Sequence, residues 1–469
     1  MLAVGNTSPI RKTTDAAARL YRSDLWRNSG NLWIVALPVT AAFGSLIPVA
    51  GPFFGFRVVA LLFLVATLPR YRTISMAHPS TRTFLVLTLI WLPVGYSSIL
   101  WATDRSASLR ELLSVTIGLA VAIALLANST DQKSIVRTLV TGWTVTFTVT
   151  AILGVYERLS GHHLSNYLAG VTLPQGFSYP IASTFGNPDA YAAFLVTAFP
   201  FLLLGLTRAQ NLYSRIFFAA CQPFLLLLLL LTGSRVCISA YFLQVIVAAV
   251  ILARTRYRLV LVGSGAALVA LILTGIAAEP LVRIFPFLPS KLFATGGLGS
   301  IVQELASSDG SGGQRLNLIR DGLWMTEQTH GIGVGAGNFE ANVLAAPFPT
   351  RGLVNPHSLW VEILSQYGTI VFLLFVFWIA FCLIAGIRLI GRSRATVTPS
   401  TRALGLALIL SVLGNVVAVN AASSYLESST NWIFIGCLGV LAAKAETILS
   451  LNRSNSDHVQ DTQENGGGN

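Results

Sequence analysis

The sequence predicts an all-α polytopic membrane protein of about twelve transmembrane helices, with a large, partly helical extracytoplasmic loop before the tenth span. Three observations predict it. Of 469 residues, 54% are hydrophobic and 11% charged, where a soluble chain carries about a quarter charged residues. Apolar runs long enough to cross a bilayer recur from one end to the other. Basic residues, finally, fall in every second connection between those runs.

In chain order, residues 1–30 form a polar, basic arm with no cleavable signal. Spans are expected at 31–49, 53–69, 83–101, 112–128, 135–156, 189–207, 214–232, 235–253 and 258–276, so that 31–276 holds helices one to nine. Within that block an outward loop covers 157–188. A long outward loop rich in Gly, Ser and Pro follows at 277–357. Segment 358–449 holds spans ten to twelve, at 369–388, 402–420 and 431–449, and 450–469 is polar and expected to be disordered.

Arg11, Arg70, Arg72, Lys133, Arg208, Arg254, Arg388 and Arg402 lie in the arm or in alternate connections, as the cytoplasmic side requires. Both termini are therefore expected inside, and the two long loops outside, on a multi-pass protein of the cytoplasmic membrane. The net charge of +12 is then a topology signal, and no nucleic-acid partner is expected. The four cysteines sit in or beside apolar runs without ligand spacing and read as small core residues.

Within the long loop, 314–328 has helical periodicity, with Leu316, Ile319, Leu323 and Trp324 on one face. Just after it comes "GIGVGAGNFE", whose Gly331, Gly333, Gly335 and Gly337 look like a phosphate cradle. A nucleotide is not expected there: no strand precedes the run, a Walker-type lysine is absent, and the compartment is wrong. The glycines are expected to shape the loop, letting backbone pass close to backbone. A backbone anion nest is the weaker expectation.

Ionisable residues near spans are costly and tend to be functional. Arg235 follows seven leucines at the outer end of one span, where positive-inside bias does not explain it. Its planar fork suits a phosphate, and Arg57 has the same logic. His357, where the long loop re-enters the membrane, could accept a proton. Glu362 stands five residues further on and could orient it, with Asn355 and Ser234 as further supporting positions. His162 and His163 have no carboxylate or cysteine at ligand spacing, so no metal site is expected, and no Asp-x-Asp pair occurs.

Three stretches together resemble the O-antigen ligase and polymerase family. They are "STFGNPDAYAAFLVTAFPFLL", "TGSR", and "RLNLIRDGLWMTEQTHGIGVGAGNFE" followed by "HSLWVEILSQYGTIVFLLF", covering about 183–388. The resemblance implies a membrane glycosyltransferase of surface polysaccharide biosynthesis in the cell envelope. Its donor would be a glycan on undecaprenyl diphosphate. Its acceptor would be a hydroxyl on a glycan, lipid or protein, and transfer would be inverting, without metal or cofactor. By motif position Arg235 and Arg315 would hold the diphosphate and His357 would be the base. Where the family has asparagine after the histidine, this chain has Ser358. The alternative is a multispan transporter or flippase for an anionic glycolipid or small anion. It fits the span count, but the chain lacks inverted-repeat symmetry and midplane charges.

Overall fold

Thirteen helices follow one another through the described part of the chain. A computed structural model describes residues 31–50, 53–129, 135–166, 180–253, 311–396 and 399–466. The N-terminal arm, the expected ninth span and residues 277–310 of the long loop lie outside these.

The helices are α1 (Asn31–Phe43), α2 (Gly55–Thr67), α3 (Pro79–Ser98), α4 (Arg105–Ala127), α5 (Ile135–Ser160), α6 (Pro188–Arg208), α7 (Leu212–Thr232) and α8 (Arg235–Leu252). After the gap come α9 (Ser311–Gln328), α10 (Phe339–Val343), α11 (Leu359–Thr396), α12 (Pro399–Ala418) and α13 (Ser429–Gly466). Among them, α4 to α8 and α11 to α13 are eight helices long and apolar enough to cross a membrane. The chain is thus an all-α polytopic membrane protein, with fewer full-length spans among the described residues than the apolar runs suggest.

One of the differences has a clear cause. α1 and α2 have 13 residues each, about 20 Å at 1.5 Å per residue. Gly44 takes φ +47° and Pro48 cannot extend a helix, so the first apolar run breaks. Its second part becomes strand Pro48–Ala50, paired antiparallel with Phe53–Phe54. The expected third span is the 20-residue α3, which falls outside the set of eight.

At the other end of the chain α13 continues to Gly466, where composition predicts disorder from 450. Extending an existing helix costs far less than nucleating one, and no proline interrupts this stretch.

The core lies where α11, α12 and α13 meet α3, α4, α6 and α8. Trp91 (α3) meets Tyr367 and Trp432 at centroid distances of 5.4 and 5.7 Å. Trp143 (α5) stacks on Phe201 at 5.0 Å. A Cβ at Gly118 would lie 2.2 Å from Trp432, so α4 must be bare there for the indole to fit. Such close approach over small residues is how helices pack without a hydrophobic driving force between them. All four cysteines are buried and free.

Residues 44–50, 53–54, 99–104, 161–166, 180–187, 233–234, 329–358 and 419–428 share one end of the bundle, because successive helices alternate in direction. Arg70, Arg208, Arg388 and Arg402 are at the other. A cap of α9, α10 and the glycine run sits on the first end through a small core of its own. Leu318, Met325, Val334, Phe339 and Val343 pack there against Val361 of α11.

The expected cap helix is present, but its buried face differs from the one periodicity suggests. Asn317, Leu318, Asp321 and Met325 are buried, whereas Ile319 and Leu323 are 38% and 53% exposed. Polar partners decide the rotation. Asn317 Nδ2 donates to Pro349 O at 2.9 Å, and Asp321 accepts from Phe348 N at 3.1 Å.

Candidate functional site

The glycine run explains how the cap is held. Gly331, Gly333, Gly335 and Gly337 have φ of +82°, +93°, +102° and +67°, a region open to glycine and strained for other residues. A Cβ at Gly333 would lie 2.6 Å from Gln366 O, and one at Gly337 2.7 Å from Ala107 O. Glycine is what lets the chain take this backbone at these positions.

The run does not present an anion nest. Every N–H from Gly331 to Asn338 already donates within the protein. Ile332 donates to Thr329 O, Gly331 to Thr326 O and Asn338 to Gly335 O. Gly333 donates to Thr329 Oγ1, Val334 to Ser365 O and Gly335 to Gln366 O. Ala336 donates to Ser98 Oγ and Gly337 to Glu111 Oε1. No donor in this run is left for a phosphate.

The cap is thus stitched to the α3–α4 turn and to the kink of α11 at Gly368 (φ +81°). Asn338 is the fully buried hub, accepting from Asp104 N at 2.6 Å and donating to Ser108 Oγ at 2.8 Å. Asp104 caps α4, and the N–H of Ala107 followed by the Ser106 hydroxyl holds its carboxyl below the usual range.

A second structure gathers the reactive side chains: the α12–α13 loop, residues 419–428. Ala421 O is approached from two sides, by Arg315 Nη2 at 3.4 Å and by His357 Nδ1 at 3.5 Å. Arg315 also reaches Asn420 O at 3.4 Å and Asp189 Oδ2 at 3.3 Å.

His357 N donates to Ser423 O at 3.2 Å. Its backbone lies at φ +49°, an expensive place for a β-substituted residue and one that clusters at functional sites. A carbonyl only accepts, so Nδ1 facing Ala421 O carries the proton. In a neutral imidazole of that tautomer Nε2 is the acceptor.

Supporting positions divide unevenly. Glu362 is buried and accepts from Ser424 Oγ (2.5 Å), Tyr425 N (2.9 Å) and Leu426 N (3.3 Å). It therefore braces the loop that His357 leans on, where the spacing suggested a direct hold on the imidazole. Ser358 donates to Asn420 Oδ1 at 2.7 Å, so its hydroxyl ties α11 to the same loop and does not cap its own helix. Buried Tyr425 donates to Ala418 O at 2.6 Å, and burial pushes its phenol well above its ordinary value. Asn355 is half-buried two residues before His357.

Arg235 opens α8 behind buried Ser234, at the same end. Two residues along, Cys237 lies within electrostatic reach of Asp189 and Arg315.

Arg57 stands apart from this cluster. Its guanidinium lies 4.6 Å over the Phe54 ring and lines a cavity of about 750 Å³ beside Glu427. Arg235, Arg315 and His357 are not among the lining residues.

His163 does find a carboxylate, contrary to expectation: Gly161 (φ +70°) turns the chain back so that Nδ1 meets Glu157. The other Glu157 oxygen accepts from Ala182 N and Ser183 N at 2.9 and 2.7 Å, so the pair builds the loop before α6. Among the described residues no three His, Cys, Asp or Glu side chains are grouped as a metal site would need.

Residues 223–376 match the sequence model of the O-antigen ligase family. Over this third of its length the chain is similar to O-antigen ligases. That stretch holds Arg235, Arg315, the glycine run, His357 and Gly368, and it supports a membrane glycosyltransferase-like role of the ligase or polymerase type. No curated protein matches the chain by sequence. Asp189, Asn420, Ala421 and Ser423 complete the cluster from outside the matched residues. Their only signal in sequence is the aspartate after "FGNP" and a run of small polar residues, "NAASSYLESST", between two spans.

Proposed function

We propose that the protein transfers a glycan from a lipid diphosphate carrier, of the undecaprenyl type, to an acceptor hydroxyl. The reaction would take place at the capped end of the bundle, on the outer face of the cytoplasmic membrane. The observation that carries this reading is the convergence of Arg315 and His357 on one carbonyl, Ala421 O, with His357 held in strained backbone.

In this reading His357 Nε2 takes the acceptor proton as the acceptor oxygen attacks the anomeric carbon. The C–O bond to the diphosphate breaks from the opposite face, giving inversion. Arg315 and Arg235 neutralise the departing diphosphate, as preorganised donors do for developing charge. Long contacts from Arg315 to two carbonyls and Asp189 hold the guanidinium in place without saturating it. Diphosphate leaves without protonation, so a single base serves. Two guanidiniums here take the role that a divalent ion beside an Asp-x-Asp pair has elsewhere.

The test is turnover of a defined undecaprenyl-diphosphate oligosaccharide by purified protein with chelator present. Glycan release is expected, lowered about 10²–10⁴-fold by His357→Ala and about 10²–10³-fold by Arg315→Ala. Wild-type rates in His357→Ala would remove the base assignment. Full dependence on an added divalent ion would remove the metal-independent mechanism.

A further inference from the structure

Beside the cluster, and sharing its loop, lies the cavity of about 750 Å³. Its size falls within the roughly 300–1,000 Å³ of small-molecule sites. Ser423 and Tyr425 belong to its wall while Ser423 O holds His357. Asn187 and Ala190 belong to it while Asp189 between them holds Arg315. The cavity is therefore one peptide unit away from the proposed chemistry on two different elements.

The composition of its wall selects among occupants. Hydroxyl and amide side chains are abundant, aromatic faces come from Phe54, Phe185 and Phe434, and charge comes from Arg57, Arg110 and Glu427. A hydrocarbon chain would leave those polar groups without partners. Two of them have no hydrogen-bond partner among the described residues: Thr184 Oγ1, on a residue 1% exposed, and Asn166 Oδ1. Buried polar atoms are nearly always satisfied, so each unpaired one calls for a ligand or water. Flat aromatic faces, hydroxyls and amides together match a sugar ring, apolar on its faces and polar at its rim. Two guanidiniums against one carboxylate leave the wall positive, which favours an acidic substituent.

We infer that this cavity is a saccharide subsite reading an acidic sugar, which places the acceptor beside His357. The role of acceptor rests on the function proposed above; the binding does not, and it is measured without any donor.

The full chain in phosphatidylcholine nanodiscs is titrated with a glucuronic acid–N-acetylglucosamine disaccharide and with the same disaccharide reduced at its carboxylate. The acidic probe is expected to bind at least tenfold more tightly. Arg110→Gln removes that preference, and Ser114→Phe, which fills the cavity from α4, abolishes binding of both. Should Ser114→Phe fail to fold, Thr184→Val is expected to weaken both probes in protein of unchanged melting temperature.

Equal affinity for the two probes overturns the proposal, as does undiminished binding by folded Ser114→Phe. Displacement of the disaccharide by phosphatidylglycerol in the nanodisc, lost in Arg110→Gln, overturns it in favour of a lipid headgroup. If the probe binds as expected while the lipid-linked donor is never turned over, the glycosyl-transfer reading falls and the subsite stands. If transfer proceeds and Ser114→Phe leaves acceptor KM unchanged, the subsite falls and the transfer reading stands.

Discussion

His357 is held against its own conformational preference. At φ +49° it occupies backbone that favours glycine, at a cost of about 1–3 kcal/mol, and two contacts with the α12–α13 loop keep it there. Replacing it by glycine separates stability from chemistry. His357→Gly is expected to raise the melting temperature, whereas glycan release falls as far as in His357→Ala. A variant both destabilised and inactive would mean that the imidazole is structural. His357 could be singled out from residue type and position, and Arg315 from the family resemblance. Their common partner could not, because Ala421 contributes only a carbonyl, which no side-chain pattern announces.

Elements show the same division. The alternating glycines announce positive φ, and all four have it. Gly333→Ala is expected to destabilise the cap by about 2–3 kcal/mol, since the new Cβ would lie 2.6 Å from Gln366 O. Hydrogen exchange of 331–338 is the readout, and unchanged protection would mean the stitching is weaker than its geometry.

α9 was legible as a helix but not in its rotation. Apolar spacing pointed to Leu316, Ile319, Leu323 and Trp324, of which Trp324 packs on the cap core, while buried Asn317 and Asp321 leave Ile319 and Leu323 exposed. Burial raises the Asp321 carboxyl above its ordinary value, offset in part by the Phe348 N–H. The folded cap therefore binds a proton more readily than the unfolded chain does. Its contribution to stability is fullest below the ordinary carboxylate range and is lost as pH rises from there through the raised value. Asp321→Asn, which keeps an acceptor for Phe348, is expected to remove that loss between acidic and neutral pH in a thermal-melt series. A wild-type slope in the variant would mean another group titrates.

For the whole molecule, apolar runs and alternating charge sufficed for the fold class. Among the described residues there are fewer full-length spans than apolar runs, in part because hydropathy does not register where Gly44 and Pro48 break a run. The proposed orientation has a direct check. A cysteine at exposed Leu344 in the cap is expected to react with a membrane-impermeant maleimide in intact cells. One at exposed Tyr213, by Arg215, is expected to react only after permeabilisation. The reverse pattern would invert the topology and place the proposed chemistry in the cytoplasm.

The stitched glycine run has a consequence for how such a scaffold diversifies. Its backbone donors are all engaged by neighbouring groups, from Thr326 O at one end to Glu111 at the other. A plate of that kind cannot adapt to a new cargo by small shifts, since each shift breaks a bond it cannot replace. Adaptation has to occur in side chains that hang free of it, on α4, on the "FGNP" turn and on residues 419–428. A panel of chains sharing this architecture should vary in those walls and keep the plate.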